Sequence, residues 1–123
     1  MLATVQSGAL RGVDGLAVAV GSSHAMTTQT AQLDIDLIAA LRDAVPVPLV
    51  LHGSSGVPDE TLRAAVRAGI VKVNIGTALN VAYTGALREA LAASTSVDPR
   101  APLDRSRGAV ADTVAHLLDV VTP

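Results

Sequence analysis

Cysteine, phenylalanine and tryptophan are absent from this chain of 123 residues, and Tyr83 is its only tyrosine. Without cysteine the chain has no disulfide, no thiolate nucleophile and no cysteine ligand for zinc. Half of the residues are apolar, and aromatic side chains are almost absent. The core must therefore consist of small aliphatic side chains, chiefly alanine and valine. Such side chains suit buried parallel strands and closely packed helices.

The sequence also has little net charge and no long apolar run. Its formal charge of −2 gives no basic surface field, so we expect no nucleic-acid partner. No apolar run is long enough to span a bilayer, and the N-terminal MLATVQSGALRG lacks the features of a signal peptide. We therefore expect no membrane partner and a soluble, cytoplasmic protein. The length predicts a single domain over residues 1–123.

Short apolar runs alternate with helical segments along the chain. The runs at 16–20, 48–51 and 70–75 predict three strands, and the first is expected to be buried on both faces. Helices are predicted over about 33–45, 58–68, 78–94 and 106–121. Single helices between strands indicate parallel pairing, and therefore an α/β fold.

The ends of these helices are only partly specified. Asp34 or Asp36 can cap the first helix, and residues 94–102 are expected to form a linker. The last predicted helix is amphipathic and is expected to dock on the rest of the domain. Its apolar residues at helical spacing are Val110, Val114, Leu117, Leu118 and Val121.

Two histidines lie at the ends of predicted strands. His24 follows the first strand and a Gly-Ser-Ser turn, and His52 follows the second strand directly. Adjacent parallel strands place both imidazoles at one edge of the sheet, where they can bind a divalent metal ion, although catalytic zinc usually takes three protein ligands. The alternative is that each ring only bonds to nearby loops. His116, on the last helix, is expected to be an ordinary surface or capping residue.

Two glycine-containing loops precede predicted helices. One is 53–56, with the sequence Gly-Ser-Ser-Gly, and the other is Gly76-Thr77. Free backbone N–H groups and the helix dipole favour an anion at a helix start, so the two loops together predict phosphate binding. The alternative is a pair of ordinary turns, which favour the same residues.

Two polar residues occur in the third apolar run. Asn74 lies near its carboxyl end and needs hydrogen-bond partners if buried, either a substrate hydroxyl or a neighbouring loop. Lys72 alternates with two valines, and we interpret it as a side chain whose ammonium reaches solvent.

Three stretches of the sequence resemble the class II, metal-dependent ketose-bisphosphate aldolases, most closely the fructose- and tagatose-bisphosphate types. They are VDGLAVAVGSSHAM, the run from LDIDLIAALRDAVPVPLVLHGSSG to KVNIGTALN, and DPR near the C-terminus. The resemblance covers roughly residues 13–120. It implies a partial TIM (β/α)8 barrel, namely the last three parallel strands with their helices plus a C-terminal helix.

The resemblance also implies roles for particular residues. His24 and His52 match two of the three zinc-binding histidines of the family. Gly53 and Ser55 match the loop that holds the phosphate of dihydroxyacetone phosphate. The substrate and phosphate contacts after the last strand correspond to Asn74, Gly76 and Thr77. The cofactor implied is Zn²⁺.

The sequence departs from the family pattern at two points. Ala25 stands where the family usually has glycine, and its methyl group would crowd the substrate or an ion held by that loop. The family's third histidine and catalytic aspartate have no counterpart in the chain.

The resemblance implies a zinc-dependent aldehyde-lyase that cleaves a ketose 1,6-bisphosphate reversibly into dihydroxyacetone phosphate and glyceraldehyde 3-phosphate. The isolated chain is expected to be chemically incomplete. The alternatives are a non-catalytic phosphosugar-binding or interaction module and a vestigial α/β fragment. We expect homo-oligomerisation or a complementing N-terminal half, because three parallel strands leave open edges through which an isolated chain would associate.

Overall fold

A three-stranded parallel sheet forms the centre of the protein. The structure is a computed structural model and describes residues 12–122. Its strands are β1 (Leu16–Ala17), β2 (Leu49–Leu51) and β3 (Ile70–Val73), and they lie in that order in the sheet. Both neighbouring pairs are parallel, which confirms the α/β prediction.

Four helices accompany the sheet in the described part of the chain. They are α1 (Ile35–Ala44), α2 (Asp59–Ala68), α3 (Thr77–Ala92) and α4 (Arg100–Val121), and a short 3₁₀ turn (Ser54–Gly56) follows β2. Of the two candidate caps of α1, Asp34 is the one used, because its carboxylate accepts the Leu37 N–H at 2.9 Å. Among residues 12–122, no helix is both long enough and apolar enough to cross a bilayer.

The core lies on one side of the sheet, between the strands and the helices. Leu49 and Leu51 are 1% and 0% exposed, and Ile70 lies beside them. They pack with buried residues from α1, α2 and α4, namely Ile38, Leu41, Leu62, Ala65 and Val120. Leu49 and Leu51 therefore point toward the helices and not into the barrel interior.

The opposite face of the sheet carries the alternate residues. The strand register places Ala17 beside Val50, and Val50 beside Lys72. Ala17 and Lys72 are exposed, and Val50 is only half-buried. We call these three residues the open face. It is the face that closure into a barrel would turn inward.

The first strand is shorter and more exposed than the sequence predicts. Only Leu16 and Ala17 form ladder pairs, and Ala17 and Ala19 are exposed, so this run is not buried on both faces. The run stops early because the Val20 carbonyl accepts the Asp34 N–H at 2.9 Å, which ties it to the start of α1 instead.

The last helix begins earlier than predicted and buries different residues. It starts at Arg100, within the expected linker, and Pro102 lies in its first turn, where a missing N–H is tolerated. Its buried residues are Ser106 and Val120. Four of the five predicted apolar residues instead line a groove of about 290 Å³ beside β3, namely Val114, Leu117, Leu118 and Val121. The helix docks on α2 and α3, so it does not cover the open face.

Candidate functional site

The carboxyl ends of the strands bring the two strand-end histidines together, as the topology predicts. The ring centroids of His24 and His52 lie 5.5 Å apart, and the ring planes are inclined at 71°. The loops that carry them are joined, because the Ser22 hydroxyl donates a hydrogen bond to the carbonyl of His52. The position of one imidazole is thereby linked to that of the other.

Gly53 allows the two histidine loops to approach each other closely. Its φ is 66°, and a Cβ at this position would lie 2.6 Å from the carbonyl carbon and oxygen of Ser23. Any other residue would meet both a steric and a conformational penalty here. The glycine is thus required by the packing of the loops, whether or not a phosphate approaches it.

Ser55 joins the two loops that the sequence predicts to bind phosphate. The Ala78 N–H, in the first turn of α3, donates to Ser55 Oγ at 3.0 Å. This N–H has no partner within its own helix, since the first four amides of an α-helix lie before the regular bonding pattern. Because Ser55 acts as the acceptor in this bond, its own hydroxyl hydrogen is left to donate elsewhere.

A cleft of about 230 Å³ lies between these loops. Six of the seven predicted site residues line it, namely His24, Gly53, Ser55, Asn74, Gly76 and Thr77. His52 lies behind Asn74 and is half-buried. At Gly76 an added Cβ would meet no atom within 4 Å, so this side of the cleft is open to a ligand.

Asn74 is held by three hydrogen bonds. Its backbone N–H donates to the Leu51 carbonyl at 2.9 Å, which continues the pairing of β2 with β3. Its Nδ2 lies 3.2 Å from Nε2 of His52, and Lys72 Nζ donates to its Oδ1. Asn74 is therefore satisfied by neighbouring residues of the protein, which was the alternative to a substrate hydroxyl. Lys72 is exposed, as predicted, but its ammonium ends on this amide.

Ala25 adopts a left-handed backbone conformation, with φ at 63°. It is the only non-glycine residue with a positive φ in the described part of the chain. A methyl side chain is strained in this region of φ/ψ space, and glycine is not. The conformation gives a physical reason for glycine at this position, separate from crowding of a ligand.

The residues present match part of a zinc site. Two imidazoles are ligands that zinc takes, but a catalytic site usually has a third. Across residues 12–122 there is no group of three or more His, Cys, Asp or Glu side chains that could hold a metal ion.

Three polar residues of the site have roles that the sequence alone did not suggest. Ser22 bonds to His52, Lys72 bonds to Asn74, and the buried Ser54 donates to the Leu51 carbonyl at 3.3 Å. The two-residue spacing of Lys72 and Asn74 was the available signal, because alternate residues of a strand share a face. His116 lies on the surface as predicted, with Nε2 2.8 Å from Oδ2 of Asp59.

Comparison with known proteins identifies the family. The sequence model of the class II fructose-bisphosphate aldolases matches residues 3–122. The chain belongs to the class II fructose-bisphosphate aldolase family. Of the solved structures similar to this aldolase-family chain, the YdjI aldolase from Escherichia coli K12 shares 34% identity, with a TM-score of 0.74 over 89% of the chain.

A second similar structure supports the fold alone. The fructose-bisphosphate aldolase from Campylobacter jejuni is 19% identical, with a TM-score of 0.72 over 87% of this chain. The chain spans 39% of the length of each of these two structures. The three parallel strands and four helices therefore represent part of the TIM barrel of a class II aldolase.

Proposed function

We propose that this chain supplies the phosphate-binding side, and two of the metal ligands, of a class II aldolase site. The proposed reaction is the reversible aldol cleavage of a ketose 1,6-bisphosphate into dihydroxyacetone phosphate and glyceraldehyde 3-phosphate. The observation that carries the proposal is the cleft in which His24 adjoins the start of α3 and the Gly53–Ser55 loop.

The proposed phosphate position lies in the cleft beside the contact between Ser55 and the start of α3. Helix α3 has 16 residues, and the dipole at its N-terminus favours an anion. The N–H groups of Ala78, Leu79 and Asn80 already donate to Ser55 Oγ and the Gly76 carbonyl, so the dipole and the side-chain hydroxyls carry this part of the proposal. The Ser55 hydroxyl and the Thr77 side chain would donate to phosphate oxygens. The open space above Gly76 leaves room for the phosphate to reach the backbone.

The proposed role of Asn74 is to bind the sugar part of the ligand. Its side chain lines the same cleft as Ser55, and its amide carries two N–H groups. One of them faces His52, so the other can donate to a hydroxyl or carbonyl oxygen of the phosphosugar.

His24 and His52 are the proposed zinc ligands. When bound, the metal would act as a Lewis acid on the ketose carbonyl. The third ligand and the group that moves the proton would come from barrel strands in a complementing polypeptide, because neither has a counterpart in this sequence. A cytoplasmic location also remains a prediction.

Isothermal titration of the chain with Zn²⁺ tests the metal part of the proposal. We expect one weak site, because a structural zinc site usually has four protein ligands and a catalytic site three. The site should be lost in His24→Ala and in His52→Ala. His116→Ala is the matched control and should leave binding unchanged. Sub-nanomolar binding that survives the double His24→Ala/His52→Ala substitution would contradict the proposal.

A complementation assay separates the aldolase proposal from a non-catalytic phosphosugar-binding module. The chain is mixed with a polypeptide that carries the remaining strands of a class II aldolase barrel, and cleavage of fructose 1,6-bisphosphate is measured with zinc present. Turnover that depends on His52 of this chain supports the aldolase function. Phosphosugar binding without turnover in a demonstrably assembled complex favours the binding module, and neither binding nor turnover favours a vestigial fragment.

A further inference from the structure

Met26 packs directly on the 3₁₀ turn Ser54–Gly56, which carries Ser55. It follows the left-handed Ala25 in the loop after β1. A Cβ added at Gly56 would lie 2.5 Å from Sδ of Met26 and 2.6 Å from its Cβ, so the methionine side chain fills the space above this glycine. Gly56 does not have a positive φ, and the contact with Met26 is therefore what requires glycine at the end of the turn.

Two hydrogen bonds fasten the same loop beside this contact. The Ala31 N–H donates to the Gly56 carbonyl at 2.9 Å, and Nε2 of Gln29 donates to the Val57 carbonyl at 3.3 Å. Met26 is half-buried, so solvent reaches part of it while the rest packs against the core. The loop thus holds the turn through two polar contacts and one apolar contact, and the apolar one is made by a thioether.

The sulfur of Met26 is the only sulfur atom in residues 12–122, because the chain has no cysteine and its other methionine is Met1. Hydrogen peroxide oxidises a thioether by transferring one oxygen atom: the O–O bond breaks, an S–O bond forms, the sulfur loses two electrons and water leaves. The sulfoxide is larger and polar, and its oxygen needs a hydrogen-bond donor when it is buried. It therefore does not suit the close apolar contact above Gly56.

The turn is connected to α3 through Ser55, whose Oγ accepts the Ala78 N–H at 3.0 Å. A change in the packing of Met26 is therefore passed on to this hydrogen bond. We propose that Met26 is a modification site for peroxides, at which oxidation to the sulfoxide loosens the turn and its contact with α3. The structural consequence concerns this chain alone, whereas weaker binding of a phosphosugar also rests on the proposed function.

Peroxide treatment of the full chain, followed by peptide mass spectrometry and ¹H–¹⁵N NMR, tests the proposal. We expect Met26 of the folded chain to gain one oxygen atom and the Ala78 amide resonance to shift. Methionine sulfoxide reductase should restore the native spectrum. Met26→Leu is the matched control, because it keeps the side-chain volume without the reactive sulfur and retains Met1. Peroxide should leave its Ala78 resonance unchanged.

Three results would overturn the assignment. One is a folded chain in which peroxide oxidises Met1 and leaves Met26 intact. Another is a chain fully oxidised at Met26 that keeps the Ala78 resonance and the thermal unfolding midpoint of the native protein. The third is a Met26→Leu variant whose Ala78 resonance responds to peroxide as strongly as that of the native chain.

The ligand consequence is measured separately with dihydroxyacetone phosphate. If the unoxidised native chain binds it, oxidation of Met26 should weaken binding several-fold, and peroxide should not alter binding by Met26→Leu. Equal affinity of the native chain before and after oxidation would overturn the ligand part of the assignment. If the unoxidised native chain does not bind it, the proposed function fails, while the NMR measurement still decides the role of Met26.

Discussion

The face of the sheet that meets the helices differs from the opposite face in both composition and burial. Leu49, Leu51 and Ile70 are almost fully buried among helix residues. The open face carries alanine, valine and lysine at the corresponding positions, and two of the three are exposed. The stability of the described domain therefore depends on the face of the sheet that meets the helices. The polar residues of the candidate site lie at the carboxyl edge of the sheet and on the open face.

Replacing leucine on the helix-facing side should have the largest effect on stability. Leu51→Ala removes a fully buried side chain and should lower the free energy of unfolding by about 2–5 kcal/mol. Val50→Ala, on the open face, should cost less than about 1 kcal/mol because its side chain is only half-buried. Urea denaturation of both variants measures the difference. Equal losses would contradict the division between the faces.

Gly53→Ala should cause a smaller but clear loss of folding stability. The new Cβ would collide with the Ser23 backbone in a conformation with positive φ, at a cost of about 1–3 kcal/mol or more. Gly76→Ala is the matched control, because an added Cβ meets no atom within 4 Å there and φ is −137°. Thermal unfolding should therefore separate the two variants. A Gly76→Ala variant as unstable as Gly53→Ala would show that the close approach of the loops at Gly53 is not what requires glycine.

A change in self-association of the chain through the edge of β3 is expected to be the next largest effect. Within residues 12–122, β3 pairs only with β2, and the Val71 side chain on this edge is 73% exposed. Lysine blunts open strand edges, so Val71→Lys should weaken self-association by about tenfold. Val97, fully exposed and outside the sheet, provides the control Val97→Lys. Sedimentation or light scattering checks this, and a native chain that stays monomeric at high micromolar concentration would contradict it.

The smallest effect is a gain in stability. Ala25→Gly relieves a left-handed conformation that costs alanine about 1–2 kcal/mol. The greater freedom of glycine in the unfolded chain offsets part of this gain, which leaves about 0.5–1 kcal/mol. A rise in the urea midpoint at unchanged slope is the expected result. A fall in the midpoint would indicate that the methyl group makes a favourable contact.

The sequence predicted the strands and helices of the fold better than it predicted which face of each one is buried. Three apolar runs bounded by turn residues identified the strands, and their alternation with helices predicted parallel pairing. The early end of β1 was not predictable, because it depends on a hydrogen bond between the Val20 carbonyl and the Asp34 N–H, 14 residues away in sequence. The buried face of α4 does not follow from its apolar residues alone, because one of its two buried residues is a serine. Ser106 is buried without penalty because its hydroxyl bonds to the Pro102 carbonyl of the preceding turn at 2.9 Å.

The members of the candidate site were predictable, but their connections were not. The positions of His24 and His52 after adjacent parallel strands are enough to predict that the two imidazoles lie together. The contact of Ser55 with the start of α3 depends on how two loops cross, which a linear sequence does not specify. The third zinc-binding histidine that the family resemblance implies is a different case, because the sequence alone indicates that no residue of this chain matches it.

Binding of dihydroxyacetone phosphate to the full chain tests the central claim most directly. Ligand-observed NMR at millimolar ligand should show weak binding to the native chain. Ser55→Glu places a negative charge beside the start of α3 and should abolish it, whereas Ser96→Glu, in the exposed loop before α4, should not. Loss of binding in Ser55→Glu alone is the result we predict. No binding by a folded native chain, or equal binding by both variants, would contradict the assignment of this cleft as a phosphosugar site.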